Sequence, residues 1–423
     1  MRSWTVVLFW LVAISTITNA KEDSASLKHI RLAPGDDKTA YQDASYKTNS
    51  LSLPMRLGQA AKLHEIAKTP QLGLPTLPKK LLADIDKNKI ALGRKLFFDR
   101  RLSHNKTMSC AMCHIPEQGF TSNELARPVG FEGRAIKRNA PTILNIVFAS
   151  RLFWDARENQ LVQQAWSPLL ASNEMNNASI GVVIDTIKGD SEYLSLFDKA
   201  FQQTPDMINI GEAIAQYERS LIAGNSRFDQ WLYAQQEDAL SKQEIAGYRL
   251  FIGKAACSSC HTINANDALF TDQDLHNTGL GYSNSMAKPA DTVTVQLAPG
   301  ITAQMKQSVI QTVGGIKKND LGRYEVTTRP ADRWKFKTPS LRNVELTAPY
   351  MHDGSFKSLS DVVAFYSRGG IKHSLLSPLI RPLNLNLQQQ NQIVSFLKTL
   401  TGSDVRTLVA DGLAAPIGDT IAE

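Results

Sequence analysis

"SCAMCHIPEQGF", residues 109–120, places two cysteines three positions apart and a histidine directly after the second. The pattern recurs once: Cys110-Ala-Met-Cys113-His114 is answered by Cys257-Ser-Ser-Cys260-His261, and the two stretches consume all four cysteines of the chain. Disulfides are one reading, and four cysteines allow three connectivities. A zinc site built from two thiolate pairs is another. Neither requires a histidine after each second cysteine, and histidine is only 8 of 423 residues. Covalent haem does require it, because the two thiols add to the porphyrin vinyl groups and the next residue turns its imidazole under the ring to ligate iron. The motif therefore reads as two covalently bound haem c groups, one on Cys110 and Cys113 with His114 proximal, one on Cys257 and Cys260 with His261 proximal.

The anchors also set the domain plan. "LGRKLFFDRRLSHNKTMSCAMCH" and "AGYRLFIGKAACSSCH" share a Gly-x-x-Leu-Phe helical segment leading into the cysteines, with Gly93 17 residues before Cys110 and Gly247 10 before Cys257. The expected fold is mainly α: two cytochrome c-like haem domains, residues 86–235 and 236–423, with long irregular connections. Ile210, Ile214, Tyr217 and Leu221 recur at helical spacing with Gly224 as the expected stop, and Ile393, Leu397 and Leu400 share a face before Gly402. Strand signals are few. The connection from Thr262 to Lys337 is long enough to be functional or to cover a cofactor.

At the start, Arg2 precedes an apolar run from Trp4 to Ile17, and Thr18-Asn19-Ala20 supplies small residues for cleavage, so residues 1–20 read as a secretory signal peptide. A membrane anchor competes, but Ser15 and Thr16 interrupt a run already shorter than the roughly 20 residues a spanning helix needs. The expected product is soluble, exported to a bacterial periplasm and without a membrane anchor after cleavage. Residues 21–85, polar and then punctuated by proline, read as a partly irregular N-terminal extension. The net charge of +7 is a mild excess with no dense lysine or arginine block, which argues for a solvated surface and against nucleic acid.

With these stretches in order, the chain resembles the diheme cytochrome c peroxidases and the related MauG-like enzymes over roughly Lys89 to Gly402. The resemblance rests on "LFFDRRLS", "RNAPTILN", "FWDARENQLVQQAWSPLLASNEM", the second CxxCH, "FKTPSLRNVELTAPYMHDGSF" and "VVAFYSRGG". It implies Trp154 as the electron relay between the haems, although alone it would read as a core tryptophan. It implies Gln164 and Glu174 as the polar residues above the peroxide-binding iron, with Pro168 in the same wall and Glu174 as the acid/base. It implies that Asn139, Thr347 and Pro349 hold a calcium ion, through one amide oxygen and two backbone carbonyls with water completing the shell.

Two departures from the peroxidase pattern matter. Fourteen residues beyond His352, where electron-transferring members place a methionine ligand for the second haem, this chain has Tyr366, as in the MauG branch. A phenolate is a hard anionic donor that stabilises high oxidation states and lowers the potential. A core tyrosine, with Met351 or another residue as ligand, is the competing reading. Second, "TSNELARPVGFEGRAIK" lacks the histidine that blocks the first iron in peroxidases needing reductive activation, and Gly130 stands there instead, implying an iron open to peroxide. Ala255 occupies the position two before Cys257 where MauG carries a surface tryptophan, so identity with that enzyme is not implied.

The function these features imply is H2O2 activation at the His114 haem and storage of oxidising equivalents at the His261–Tyr366 haem, for MauG-like oxidation of a protein substrate. Simple peroxide reduction is the alternative, with electrons from a small c-type cytochrome or cupredoxin. A diheme electron carrier is the non-enzymatic one.

Overall fold

In the computed structural model, eight α-helices of nine residues or more occur among the described residues, which are 58–287, 291–298, 301–306, 308–309 and 319–415. They are α1 (Lys87–Phe98), α2 (Ile180–Lys188), α3 (Ser191–Phe201), α4 (Met207–Ser220), α5 (Lys242–Ile252), α6 (Leu359–Ser367), α7 (Leu387–Lys398) and α8 (Val405–Leu413). The expected signal peptide and residues 21–57 of the extension lie outside the described residues. Local sequence starts each of the packing helices. Asp86 caps α1, and capping boxes open α4 (Asp206, Asn209), α5 (Ser241, Glu244), α6 (Ser358, Asp361) and α7 (Asn386, Gln389).

Two glycines decide how these helices cross. α1 packs on α4, and α5 packs on α7. A Cβ on Gly93 would lie 1.8 Å from the Ala213 carbonyl oxygen, and one on Gly247 would lie 1.9 Å from that of Gln392, so only glycine permits either approach. Four residues on, Phe97 and Phe251 are fully buried, with ring centroids 6.3 Å from His114 and 6.4 Å from His261. The shared Gly-x-x-Leu-Phe segment is thus one device used twice: a close crossing that seats an aromatic ring beside each anchor histidine.

Two apolar clusters result, one gathering α1 to α4 and the other gathering α5 to α7 with Phe228 and Phe270. Residues 58–85 differ from expectation. Leu63, Ala67, Leu74, Leu77 and Ile85 join the first cluster, and Leu63–Lys68 and Lys79–Asp84 are helical. The prolines between them break the periodicity that would have exposed this packing in the sequence. α8 also joins the first cluster, through Val405, Leu408 and Val409.

The two clusters are stitched by a buried ion pair. Arg342 donates to both oxygens of Asp229, at 2.5 and 2.9 Å, with both side chains almost wholly excluded from solvent. The same guanidinium donates to the carbonyls of Ala268, at 2.6 Å, and Gly73. Its fork thereby satisfies four acceptors from three distant parts of the chain.

α4 stops at Ser220 rather than running on to Gly224, because the N–H groups of Ala223 and Gly224, which a longer helix would give to the carbonyls four residues back, go instead to Asn145 Oδ1 at 2.8 Å and to Gln71 Oε1. α7 likewise stops at Lys398, before Leu400. Gly224 and Gly402 instead meet each other: a Cβ on Gly402 would lie 2.8 Å from the Gly224 carbonyl. Strands are few among the described residues, as expected: β1 (Leu275–His276), β2 (Thr292–Ala298), β3 (Ile301–Lys306) and β4 (Phe336–Lys337). β1 pairs antiparallel with β4, and β2 with β3. No described helix is long and apolar enough to cross a membrane.

Gly93→Ala and Gly247→Ala should each lower the unfolding free energy by about 1–3 kcal/mol in denaturant titrations. Gly181→Ala, exposed on α2 with the nearest atom to a new Cβ at 3.5 Å, should raise it by about 0.5–1 kcal/mol.

Candidate active site

Each cysteine pair begins a single turn of 3-10 helix, Cys110–Met112 and Cys257–Ser259, and the histidine N–H closes back on the first cysteine carbonyl, at 3.0 and 2.9 Å. His114 Nδ1 lies 3.1 Å from the Phe120 carbonyl, and His261 Nδ1 lies 2.8 Å from that of Phe270. A second carbonyl, of Pro141 or Pro339, also faces each ring. A carbonyl can only accept, so Nδ1 carries the proton and each Nε2 lone pair is left free for a metal. Burial lowers both imidazole pKa values, which keeps the rings neutral. None of the four thiols is in a disulfide. They do not converge on a zinc-like site either, the one potential metal cluster among the described residues being Cys260, Asp272 and His276.

The second carbonyl at each histidine, that of Pro141 or Pro339, belongs to a repeat not read from the sequence. "NAPTILN" (139–145) and "KTPSLRN" (337–343) fold alike. Thr121 donates to the Ala140 carbonyl, as Thr271 does to Thr338 at 2.7 Å. Thr142 and Ser340 donate back to the carbonyls of Gly119 and Leu269 at 2.6 and 2.7 Å. Asn145 and Asn343, at φ 62 and 61, each open a 3-10 turn, and their Oδ1 atoms accept from the N–H groups of Ala223 and Gly402 at 2.8 Å. The shared Pro-[Ser/Thr]-x-x-Asn core was the available signal.

Trp154 joins the two copies at equivalent positions. Its indole N–H donates to the Asn139 carbonyl at 2.9 Å, and its own carbonyl accepts from the Lys337 N–H at 2.8 Å. Asn139 and Lys337 each lie two residues before the proline that faces a haem-anchor histidine. The aspartate beside Trp154 is fixed too: Arg138 donates to Asp155 at 2.6 Å and to both oxygens of Asp320 at 2.7 and 2.8 Å. Burial opposes ionisation of Asp320, but Arg138 outweighs it and holds that carboxyl at about 2.

Glu174 sits at the end of a closed turn. Met175 N–H donates to the Pro168 carbonyl at 3.1 Å, Glu174 N–H to Ala171 at 2.9 Å, and the Glu174 carbonyl accepts from Phe131 N–H at 2.8 Å. Burial raises the Glu174 carboxyl above the ordinary glutamate range, with Arg157 opposing. The carboxyl lies near enough to the first anchor to act on both Cys110 and Cys113. Gln164 ends the short helix Leu161–Gln164, half-buried, and no hydrogen bond joins it to Glu174. Gly130 packs against the Glu174 turn: a Cβ there would lie 2.2 Å from the Asn173 carbonyl and 2.8 Å from Glu174 Cα. Glu218, which the sequence did not single out, is buried near Cys110 with Oε2 lacking a partner, and burial pushes it up to about 8.

A cavity of roughly 310 Å³ opens at the second anchor, lined by Cys257, Cys260, His261, Tyr366, Met351, Trp154 and Lys337. The Tyr366 hydroxyl has no hydrogen-bond partner among the described residues. Burial raises its pKa, and the Cys260 and Cys257 sulfurs add to the effect, which puts the phenol close to the anchor. Lys337 was also missed. Its ammonium has no acceptor among the described residues, and burial pulls it down to about 8. Asn139, Thr347 and Pro349 line the same cavity. Asn139 Oδ1 and the carbonyls of Thr347 and Pro349 accept no hydrogen bond among the described residues, as suits a neutral oxygen set for a hard cation. Ala255 is buried. A committed tautomer at each histidine and a partnerless phenol in the second cavity fit haem at both anchors.

A family model described as di-haem cytochrome c peroxidase matches residues 87–237. The chain is 33% identical to the methylamine utilization protein MauG of Methylorubrum extorquens over 314 residues, 74% of this chain and 78% of that protein. It is 31% identical to the cytochrome c551 peroxidase of Pseudomonas aeruginosa over 361 residues, 84% of this chain and 91% of that one. A solved MauG-like protein associated with microbial copper homeostasis superposes with a TM-score of 0.62 at 30% identity, covering 83% of this chain and 97% of that one. The chain belongs to the diheme cytochrome c peroxidase family. It is an oxidoreductase that uses peroxide and works with two haem groups.

Gly130→Ala should displace the Glu174 turn and slow the reaction of the haem-loaded protein with peroxide by about 10–100-fold in stopped-flow measurements.

Proposed function

We propose that this protein is a periplasmic enzyme that activates H2O2 at a haem held by Cys110, Cys113 and His114, and stores oxidising equivalents at a haem held by Cys257, Cys260, His261 and Tyr366, for oxidation of a partner protein. The haems are thioether-bound and occupy two cytochrome c-like domains, residues 86–235 and 236–423. When bound, the pair supplies peroxide binding and O–O cleavage at one iron and redox storage at the other.

The protein's own groups do the rest. The Glu174 carboxylate takes the proton from the near peroxide oxygen and returns it to the far one as the bond breaks, and Gln164 orients the peroxide beside Pro168. Trp154 carries electrons between the two loops. The partner of its indole N–H is a carbonyl, which cannot take the proton, so an oxidised indole keeps it. Lys337 adds positive charge beside the second site. Asn139, Thr347 and Pro349 hold Ca2+, with water completing the shell.

The observation that carries this reading is the partnerless Tyr366 hydroxyl in the cavity that His261 lines. Burial keeps an unligated phenol protonated, so ionisation requires a cation against the oxygen, and iron is the cation the family supplies. Peroxide reduction with electrons from a small cytochrome or cupredoxin shares the first site and differs at the second. Relatives of both kinds match at similar identity.

In the haem-loaded protein, one equivalent of peroxide should abolish a ferric high-spin band and yield a long-lived oxidised state, and Tyr366→Met should shorten that lifetime by about tenfold or more. An unchanged lifetime, with undiminished turnover of reduced cytochrome, would favour the plain peroxidase. Glu174 works ionised, and its pKa is raised, so the peroxide reaction should weaken on acidification at a higher pH than an ordinary glutamate would give. Glu174→Gln should lose about 10²–10⁴ in rate, together with that acid limb.

A further inference from the structure

A compact aromatic group lies beside the second cavity, outside the two anchor loops. The Tyr282 ring stacks on His373 with centroids 4.4 Å apart and planes 4° from parallel. Trp334 stands edge-on to both, at 5.2 Å from Tyr282 and 5.6 Å from His373. The group is fixed by polar contacts: the Trp334 indole N–H donates to Ser285 Oγ at 3.0 Å, and His373 Nε2 lies 3.1 Å from Oδ1 of the buried Asn277.

Its inner side reaches the cavity. A Cβ on Gly281 would lie 2.9 Å from the Phe336 ring and 3.2 Å from Trp334 Cβ, so these side chains converge on one backbone point. Phe336 lines the cavity that holds His261 and Tyr366, and stacks on His352 at 3.7 Å. Its outer side reaches solvent. Trp334 is buried, Tyr282 and His373 are only half-buried, and Met286, one turn beyond Tyr282, is 62% exposed. Phenol and indole are the side chains most readily oxidised by one electron. Here they run from the wall of a redox cavity to the surface.

We propose that Tyr282 and Trp334, braced by His373, form a surface site at which small phenols are oxidised. This rests on the reading that the second haem stores oxidising equivalents. Tyr282 would give one electron, by way of Trp334, to the oxidised group that Cys257, Cys260 and His261 would hold, and the Tyr282 proton would leave to solvent. The Tyr282 phenoxyl then takes one electron and one proton from a donor phenol and is restored. Two such rounds consume two phenols and deliver the two electrons and two protons that, with one H2O2, give two waters and two phenoxyl radicals.

The test uses haem-loaded protein, H2O2 and p-cresol. Tyr282→Phe and Trp334→Phe keep the ring packing. Each should cut p-cresol oxidation by about tenfold or more, while the first optical change on adding peroxide persists. Freeze-quenched wild type should show a tyrosyl radical signal by electron paramagnetic resonance that Tyr282→Phe lacks. p-Cresol oxidation within about twofold of wild type in both variants, or a wild type that leaves p-cresol untouched, overturns the site. Failure of the storage reading shows separately, as the absence of a long-lived oxidised state when no phenol is added. In that case the steady-state rates of the two variants still decide the phenol site.

Discussion

Each anchor histidine is caught between two backbone carbonyls, and most of the site's chemistry follows from that contact. The Phe120 carbonyl commits the Nδ1 proton of His114, and the Phe270 carbonyl does the same for His261, with the carbonyls of Pro141 and Pro339 facing the two rings as well. The free Nε2 of each ring is then a lone pair of fixed direction rather than one of two tautomers. The residues that carry these carbonyls lie on loops pinned by threonine and serine hydroxyls and backed by Phe97 or Phe251. The imidazoles are thus positioned by the fold itself, before any cofactor is considered.

Against this shared frame, the differences between the two copies define the division of labour. At the position two before the proline, one copy has Asn139 and the other Lys337, and Trp154 is tied to both. The first site adds a carboxyl that burial drives towards protonation, Glu174, on a turn that Gly130 lets approach closely. The second adds a phenol and an ammonium, each without a hydrogen-bond or ion-pair partner among the described residues. One anchor thus has a buried carboxyl beside it, and the other a buried phenol and ammonium. The tryptophan between them is bonded to both loops and belongs to neither.

Much of the site was legible because its chemistry needs contiguous residues. The CxxCH anchors and the Gly-x-x-Leu-Phe segment each act through neighbours in the chain, so spacing alone exposes them. Glu174, Gln164, Trp154 and Tyr366 came through resemblance to a family, since an isolated glutamate or tyrosine carries no such signal. Lys337 and Glu218 escaped because their character is a burial effect, and burial depends on what the rest of the chain packs around them. The ends of α4 and α7 were misjudged for a similar reason: a distant asparagine and a distant glutamine, not the glycine downstream, take the N–H groups that would have extended α4. The packing of residues 58–85 was hidden by prolines that spoil helical periodicity without preventing burial.

The Arg342–Asp229 pair bears on how the molecule comes apart. Its guanidinium also grips Gly73, the Gln71 amide bonds to the Ile222 carbonyl, and α8 returns from the far end of the chain to the first apolar cluster. Removing either partner would strand a desolvated charge. The first apolar cluster is incomplete without Val405, Leu408 and Val409 from the far end of the chain, so the protein should melt in one cooperative transition. A fragment cut between the two haem anchors would part the first cluster from the helix that closes it.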